Sequence, residues 1–455
     1  MATLFIVYDN NSYIHWFPQN VAYLVSSCSD STIYNQDIHH YNEEHLTRYL
    51  DTHDFSEVCL GFIGGYYQYR KAKEIAKAVN KSKNRSNFKF ILGGHGPSPD
   101  PEFFLRKLDA DIVVIGEGEE QLREITHGWM EIFIKGIAYL SDNIFVLNER
   151  RELSDINKIV WPRYNKFNIE YYRLIRAPNC DTSDFVMPVL SGRGCPYKCN
   201  FCYRMDKGRR ERDIDHIIEE IKYLNRNYGI NYIIFSDELL MTSKTRVEKI
   251  CKKLKPLSIK WNCNGRLNIA AKHPSLLKLM KDSGCVFINY GIESFDDNAL
   301  KLMNKKLTCK QIVDGVENTK KVGISPGLNI IFGNHGEDEF TLNSGVDFLL
   351  NYDDHAQLRT IRPVTPYPGS ELYYDAIKLG LIKDIEDFYE NKHVNSDLLT
   401  CNFTSMTDDD FYWCLLQANK RLINKYNEFK SHEVVNELEE LYLNKNVNFR
   451  GFRQT

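Results

Sequence analysis

Residues 192–204 read Gly192-Arg193-Gly194-Cys195-Pro196-Tyr197-Lys198-Cys199-Asn200-Phe201-Cys202-Tyr203-Arg204, and the C-x3-C-x2-C spacing of Cys195, Cys199 and Cys202 decides how the chain is read. Three thiolates set this close can hold three irons of a cubane iron–sulfur cluster and leave the fourth iron without a protein ligand. Clusters that only pass electrons are closed by four cysteines. An open iron is a place where a small molecule binds and is reduced. The competing use of clustered thiols is a zinc knuckle, which takes four ligands as CxxC pairs or a Cys/His set. The nearest candidates for a fourth ligand, Cys180 and His216, fall on the far side of a strand and in a helix.

Outward from the loop the pattern is βα. VMPVLSG (186–192) reads as a strand entering the loop, residues 213–228 as the helix after it, and NYIIFSDE (231–238) as the next strand. SIKWNCNGR (258–266), VFINYGIES (286–294), GLNIIFG (327–333) and AQLRTIRPV (356–364) continue the series, each separated by a helical segment. About six strands with parallel crossovers imply a partial (β/α)6 barrel over residues 185–375, because a full eight-strand barrel runs to about 250 residues.

Upstream, TLFIVYD (3–9), EVCLGFIG (57–64), FKFILGG (88–94), DIVVIGEG (111–118) and NIFVLN (143–148) read as strands. Residues 20–28, 43–50, 69–80, 100–107 and 119–130 read as the intervening helices. Val- and Ile-rich strands alternating with helices predict an α/β, Rossmann-like domain over residues 1–150, with a parallel sheet covered on both faces. Such sheets bind ligands at the carboxyl ends of their strands. Gly64-Gly65, Gly93-Gly94-His95-Gly96 and Gly116-Glu117-Gly118 fall there, although tight strand-to-helix turns use glycine without any ligand. Residues 151–184 lack a clear period and read as a connector. Residues 376–455 read as a small, mainly helical C-terminal region.

Composition bounds the function. The 455 residues carry a formal charge of −3, 43% hydrophobic and 26% charged residues, which describes a globular protein with no global field for nucleic acid or anionic membrane. No run of about 18 apolar residues is present, so no membrane span is expected. The opening residues show no signal peptide. Twelve cysteines without one suggest a reducing, cytoplasmic setting. Cys28, Cys59, Cys180, Cys251, Cys263, Cys285, Cys309, Cys401 and Cys414 are scattered and read as structural thiols.

The cysteine run resembles the C-x3-C-x-aromatic-C signature of the radical S-adenosylmethionine (SAM) superfamily. The resemblance implies a 4Fe-4S cluster on Cys195, Cys199 and Cys202. It also implies SAM on the open iron, cleaved by one electron to a 5′-deoxyadenosyl radical, and a flavodoxin- or ferredoxin-type electron donor. By the same resemblance Phe201 and Tyr203 lie beside cluster and adenine, Asp237 near the SAM ammonium, and Arg266 near its carboxylate. Glu293 and Ser294 in Gly291-Ile292-Glu293-Ser294 would meet the ribose or amino-acid part, and Phe332 and Gly333 the adenine. At the last position Asn334-His335 replaces the apolar-Pro pair usual in the family.

Pro366-Tyr367-Pro368-Gly369-Ser370-Glu371-Leu372-Tyr373 is similar to the barrel end of the branch that carries an N-terminal cobalamin-binding-type domain. LGGHGPSPDPEFFLRKLDADIVVIGEGEEQLREI (92–125) resembles those domains, which puts Gly93, Gly94, Gly116, Glu117 and Gly118 toward cobalamin. The D-x-H-x-x-G motif that supplies a cobalt-ligating His is absent, since Asp37-Ile38-His39-His40-Tyr41 lacks the glycine. The resemblance covers roughly residues 1–400. It implies a methyltransferase in which one SAM supplies the methyl group by way of cobalamin and another the radical, acting on an unactivated carbon or phosphinate of a small molecule or peptide. A cobalamin-independent radical cyclase, oxidase or rearrangement enzyme is the alternative. A methylthiotransferase would need three N-terminal cysteines where Cys28 and Cys59 are two. A non-catalytic metal-binding scaffold is the reading from another class.

Overall fold

In the computed structural model, which describes residues 2–10, 16–206 and 208–443, two sheets face each other across the connector. The N-terminal sheet contains β1 (Ala2–Val7), β2 (Ser31–Asn35), β3 (Phe55–Gly61), β4 (Lys89–Gly93), β5 (Ile112–Val114), β6 (Ile137–Ser141) and β7 (Ile144–Leu147) in the order β2-β1-β3-β4-β5-β6-β7. Helices α1 (Gln19–Ser27), α2 (Gln36–His39), α3 (Glu43–Thr52), α4 (Tyr66–Asn80), α5 (Pro101–Leu108) and α6 (Glu119–Thr126) cross between its strands.

The sheet is the expected parallel one, extended by a hairpin at one edge. Its first five strands are parallel, but β6 runs antiparallel to β5 and β7 antiparallel to β6. The segment 143–148 was expected as another parallel strand and instead completes a hairpin. Asp142 and Asn143 form the two-residue turn, both with positive φ (48° and 65°), the backbone twist that tight hairpins require. Strands β2 and β6 were not anticipated. β2, STIYN, is an edge strand too polar to show an apolar run. Helix α6 ends at Thr126 rather than Met130, because Gly128 adopts φ +77° and turns the chain.

The second sheet holds β8 (Val186–Val189), β11 (Tyr232–Phe235), β12 (Lys260–Gly265), β13 (Cys285–Glu293), β14 (Ser325–Phe332) and β15 (Arg362–Pro363), parallel and in chain order, as a partial barrel. The last strand shrinks to two residues from the nine expected. Two further short strands, β9 (Gly192–Arg193) and β10 (Arg210–Glu211), pair antiparallel and close the base of the cysteine loop. Helices α7 (Ile214–Tyr228), α8 (Lys244–Leu254), α9 (Leu267–Lys272), α10 (Pro274–Asp282), α11 (Asp297–Leu302), α12 (Cys309–Lys321) and α13 (Glu339–Tyr352) cover the barrel's outside. Buried Val186, Ile233, Trp261, Ile288 and Leu328 fill the layer between.

Among the described residues the chain beyond the barrel is mainly helical, with α14 (Glu371–Lys378), α15 (Ile385–Asp387), a π turn at Phe388–Lys392, and α16 (Asp408–Tyr442), while residues 444–455 of the expected helical region lie outside the described residues. It straps the two sheets together. Phe388 and Tyr389 enter the N-terminal core, Tyr389 lying 4.4 Å from the Tyr69 ring, while Glu390 accepts from Tyr69 (2.6 Å) and Lys73 (2.8 Å) on α4. At the other end Phe411 of α16 stacks on Phe332 of the barrel. The segment 151–184 contains three 3₁₀ turns. Tyr164 donates to Glu220 (2.7 Å), which pairs with Arg212, and Arg212 reaches Tyr23 of α1 (3.2 Å). Breaking one partner from a buried ion pair typically costs about 3–5 kcal/mol. Among the described residues no helix is long and apolar enough to cross a membrane.

Candidate active site

The carboxyl ends of the parallel strands of both sheets open into one cavity of about 700 Å³. From the N-terminal side it is walled by Phe62 after β3, Gly93, Gly94 and His95 after β4, and Gly116, Glu117, Gly118 and Glu119 after β5. From the barrel side come Cys195, Cys199, Cys202, Phe201, Tyr203, Arg266 and Glu293. Backbone explains the glycines. Gly94 has φ +98°, and a Cβ there would sit 2.6 Å from the Phe62 carbonyl oxygen. Gly194 (φ +85°) touches the Gly208 carbonyl, where the two ends of the cysteine loop meet, and any side chain would part them.

The loop is pinned from three directions. Asn200 and Asn334 exchange a reciprocal pair of amide hydrogen bonds (3.1 and 2.9 Å), both residues being buried. Asn200 N donates to Met303 O (3.0 Å), and Leu372 N to Asn200 O (2.9 Å). The unusual Asn334 thus has a structural account: it is the partner of the residue between Cys199 and Phe201. Glu337 closes the same turn by accepting from Gly333 N and Asn334 N, each at 3.0 Å. Burial pushes its carboxyl up to about 7 despite these bonds.

The loop's flanks are also held by the N-terminal domain. Arg193 pairs with Glu117 (3.1 Å) and Glu119 (2.5 Å), and Arg210 pairs with Glu117. Glu117 therefore lies on the cavity wall with its carboxylate engaged by both short strands of the loop.

The SAM-directed residues divide. Asp237 is 0% exposed and bonded away from the cavity, accepting from Ser191 N and Oγ (2.7 Å each) and pairing with Arg209 (3.0 Å). Burial raises its carboxyl above the ordinary range even so. The next residue, Glu238, faces the cavity and accepts from Gly194 N (2.9 Å). Both residues lie in the bend after β11, which ends at Phe235, so no strand alternation in the sequence told them apart.

Arg266 lines the cavity with its guanidinium 3.5 Å from the Tyr197 ring centroid, donating to the carbonyls of Lys305 and Lys306. Its buried Nε has no protein partner. Glu293 sits at a register shift between β13 and β14 with φ +73° and pairs with Lys305 (2.8 Å). Ser294, Phe332 and Gly333 do not reach the wall. Ser294 is buried, and the Phe332–Gly333 corner packs under Phe411.

Sequence reasoning also missed several cavity residues. Lys305 lies 5.8 Å from the Phe201 ring, and its charge pulls down the thiols of Cys199 and Cys202, although burial prevails, raising Cys199 and pushing Cys202 up to about 12. Asn264, Asn289 and Asn329 form a hydrogen-bonded ladder along the inner strand ends (3.1 and 2.8 Å), and Asn264 donates to Asp237 O. An Asn in mid-strand of three successive apolar runs was the legible trace of it. His95 stands over Tyr203, ring centroids 5.8 Å apart, and burial holds its imidazole below the usual range. His39 and His40 lie at the far edge after β2, and neither lines the cavity.

The comparisons with known proteins decide the family. The model of the Radical SAM superfamily matches residues 189–349, and that of the B12 binding domain residues 10–126. An uncharacterized methyltransferase of Pyrococcus horikoshii is 31% identical over 329 residues, covering 70% of this chain and 68% of the relative. This chain belongs to the radical SAM superfamily, in the branch with an N-terminal B12-binding domain. An anaerobic magnesium-protoporphyrin IX monomethyl ester cyclase of Rubrivivax gelatinosus is 24% identical, covering 72% of this chain but 59% of the cyclase. In fold the radical SAM protein is similar to the methyltransferase TsrM from Kitasatospora setae, solved with cobalamin and a [4Fe-4S] cluster, at TM-score 0.67 and 16% identity over 83% of this chain and 78% of that one.

The cofactors of this radical SAM enzyme are accordingly a 4Fe-4S cluster, SAM and cobalamin. Its residues fit them. Cys195, Cys199 and Cys202 line the barrel wall while the cavity's other cysteine, Cys59, belongs to β3 of the opposite sheet, and among the described residues no three His, Cys, Asp or Glu converge on a single ion position. A cubane differs from one ion in spreading its thiolates over three irons. The glycine rim after β4 and β5 leaves backbone bare at the place where a flat macrocycle needs close approach.

Proposed function

We propose that this enzyme transfers a methyl group from SAM to an unactivated carbon, or a phosphinate phosphorus, of a small molecule or peptide in the reducing cytoplasm. One observation carries the reading: the thiols and the glycine rim share a single cavity, so the radical source and the methyl carrier face one bound substrate. The cluster and cobalamin supply the one-electron and methyl-transfer chemistry when bound. The protein supplies geometry and dryness. Cys195, Cys199 and Cys202 hold the cluster. Glu238, with its carboxylate toward the cavity, takes the role first given to Asp237, pairing with the SAM ammonium, while Arg266 and the Glu293–Lys305 pair flank the methionine end. Gly93, Gly94, Gly116 and Gly118 bed the cobalamin. Phe201 and Tyr203 close the space beside cluster and adenine.

The cyclase relative supports a second reading, radical cyclisation without methyl transfer. Reduced enzyme incubated anaerobically with SAM separates the two. A methyltransferase forms S-adenosylhomocysteine as well as 5′-deoxyadenosine, whereas a cyclase forms the latter alone. Absence of S-adenosylhomocysteine from cobalamin-loaded enzyme would overturn methyl transfer. Replacing all three cysteines by Ala abolishes 5′-deoxyadenosine formation, and its retention would exclude the radical mechanism.

A further inference from the structure

The N-terminal sheet ends in two unlike edges. At one, β2 is covered by the segment between the domains: Lys166 Nζ donates to Ser31 O (3.4 Å), and Asn35 Nδ2 to the Tyr172 hydroxyl (3.2 Å). At the other, β7 has no strand beyond it among the described residues. Asn148 N, just after β7, donates to Ile137 O (3.0 Å), and the bonds of an antiparallel ladder recur at every second residue. The backbone groups of Ile144 and Val146 therefore point at β6, and those of Phe145 and Leu147 point outward. Natural edges are blunted by lysine, proline or a bulge. β7 reads Ile-Phe-Val-Leu in unbroken register and has none of these. The turn after α6 extends its apolar surface, tied to β7 by Asn148 Nδ2, which donates to Glu131 O (2.6 Å) and Ile134 O (2.8 Å). Trp129, Met130, Ile132 and Phe133 of that turn, with Ile144 and Leu147, each leave 53–68% of their surface to solvent. At about 150–250 Å² for a large side chain, they expose on the order of 600 Å² of mainly apolar area. That is the upper end of what a monomer leaves bare.

We propose that β7 is a dimer interface, at which two copies of this chain pair edge to edge, antiparallel, across a two-fold axis through Val146. This pairing does not depend on the reaction proposed above. A two-fold axis makes the same edge both halves of the contact, so no second free edge has to be supplied by another protein. With Val146 opposite itself, Phe145 of each copy faces Leu147 of the other. All four residues carry outward-pointing groups, so the two pairs exchange four backbone hydrogen bonds and leave none of those groups unmatched. A one-residue slip would set outward groups against residues that already serve β6. Like charges stay apart in this register, since Asp142 comes opposite Arg150 of the second copy and Asn143 opposite its Glu149. The strand edge and the apolar turn together approach the roughly 800 Å² that each partner buries in a stable complex.

The test is sedimentation of the cluster- and cobalamin-loaded enzyme under anaerobic conditions. Wild type is expected to sediment as a dimer that dissociates on dilution. Leu147→Lys, which places a charge in the paired edge, raises the dimer dissociation constant about tenfold or more. Its cobalamin binding stays at the wild-type value, because no residue of β7 lines the cavity. If that variant fails to fold, Ile144→Lys, at the most exposed side chain of the strand, gives the same direction. Val146→Cys reads the axis itself. Its two Cα atoms would lie about 4.5 Å apart in such a pair, within reach of a disulfide, so a thiol oxidant links two copies of this variant and none of wild type. A wild type that is monomeric at every concentration would overturn the proposal. So would a dimer that neither lysine variant weakens, which would place its interface elsewhere. A dimer that the lysine variants weaken but Val146→Cys fails to link would overturn edge pairing in favour of contact through the apolar turn.

Discussion

At the end of β11 two adjacent carboxylates do different work. Asp237 is a buried strut between Ser191 and Arg209, and Glu238 is a cavity wall residue held by one backbone N–H. Their neutral variants therefore separate. Asp237→Asn lowers unfolding stability, by about 1–3 kcal/mol for a buried group left badly paired, in a denaturant titration of the protein. Glu238→Gln leaves that stability within about 0.5 kcal/mol and weakens SAM binding, measured by equilibrium binding to the cluster-loaded enzyme. Reversed outcomes would return the ammonium role to Asp237. The Asn200–Asn334 pair makes a second residue-scale prediction. Asn334→Ala strands the Asn200 amide in a buried site and costs about 1–3 kcal/mol. The double variant Asn200→Ala/Asn334→Ala costs less than the sum of the two single changes, because the second removal leaves no orphan.

The elements that hold the site are short and depend on one another. β9 and β10 are two residues each, too short to stand alone, and their arginines are met by Glu117 and Glu119 from the other domain. The C-terminal strap works by charge as well as by ring packing. Burial alone would raise the Glu390 carboxyl, but hydrogen bonds from Lys73, Tyr69 and Lys107 prevail and hold it down to about 2, below its ordinary 4.5. A depressed carboxyl stabilises the fold above its unfolded value and loses that contribution as pH falls toward its folded value. Thermal unfolding should therefore show Glu390→Gln less stable than wild type at neutral pH, with the gap closing as pH drops below about 4.5. A gap constant with pH would mean that the strap is held by Phe388 and Tyr389 rather than by this charge.

At the scale of the molecule, the cavity belongs to neither sheet alone, so a ligand seated in it stabilises both against separation. Cobalamin at a hundred times its dissociation constant is expected to add about 2.7 kcal/mol to unfolding, seen as a rise in melting temperature of the anaerobic protein. Gly94→Ala, which drives a methyl group against Phe62 at φ +98°, is expected to lose most of that rise.

The sequence by itself determined the chemistry class and the two βα series. A C-x3-C-x2-C run has few other uses, and apolar strands alternating with amphipathic helices carry their period in local residue types. It also placed the glycines after β4 and β5, because a positive φ such as that of Gly94 or Gly116 excludes most side chains. Tertiary structure alone decided the rest. Which of Asp237 and Glu238 meets the cavity depends on the bend that follows β11. That Asn200 needs Asn334, or Arg193 needs Glu119, depends on pairings that close only when residues far apart in the chain fold together. The hairpin of β6 and β7 hung on two positive φ angles at Asp142 and Asn143, residues that adopt them without announcing it as glycine does. Local patterns report local energies, and the geometry around the three thiols is set by long-range contacts.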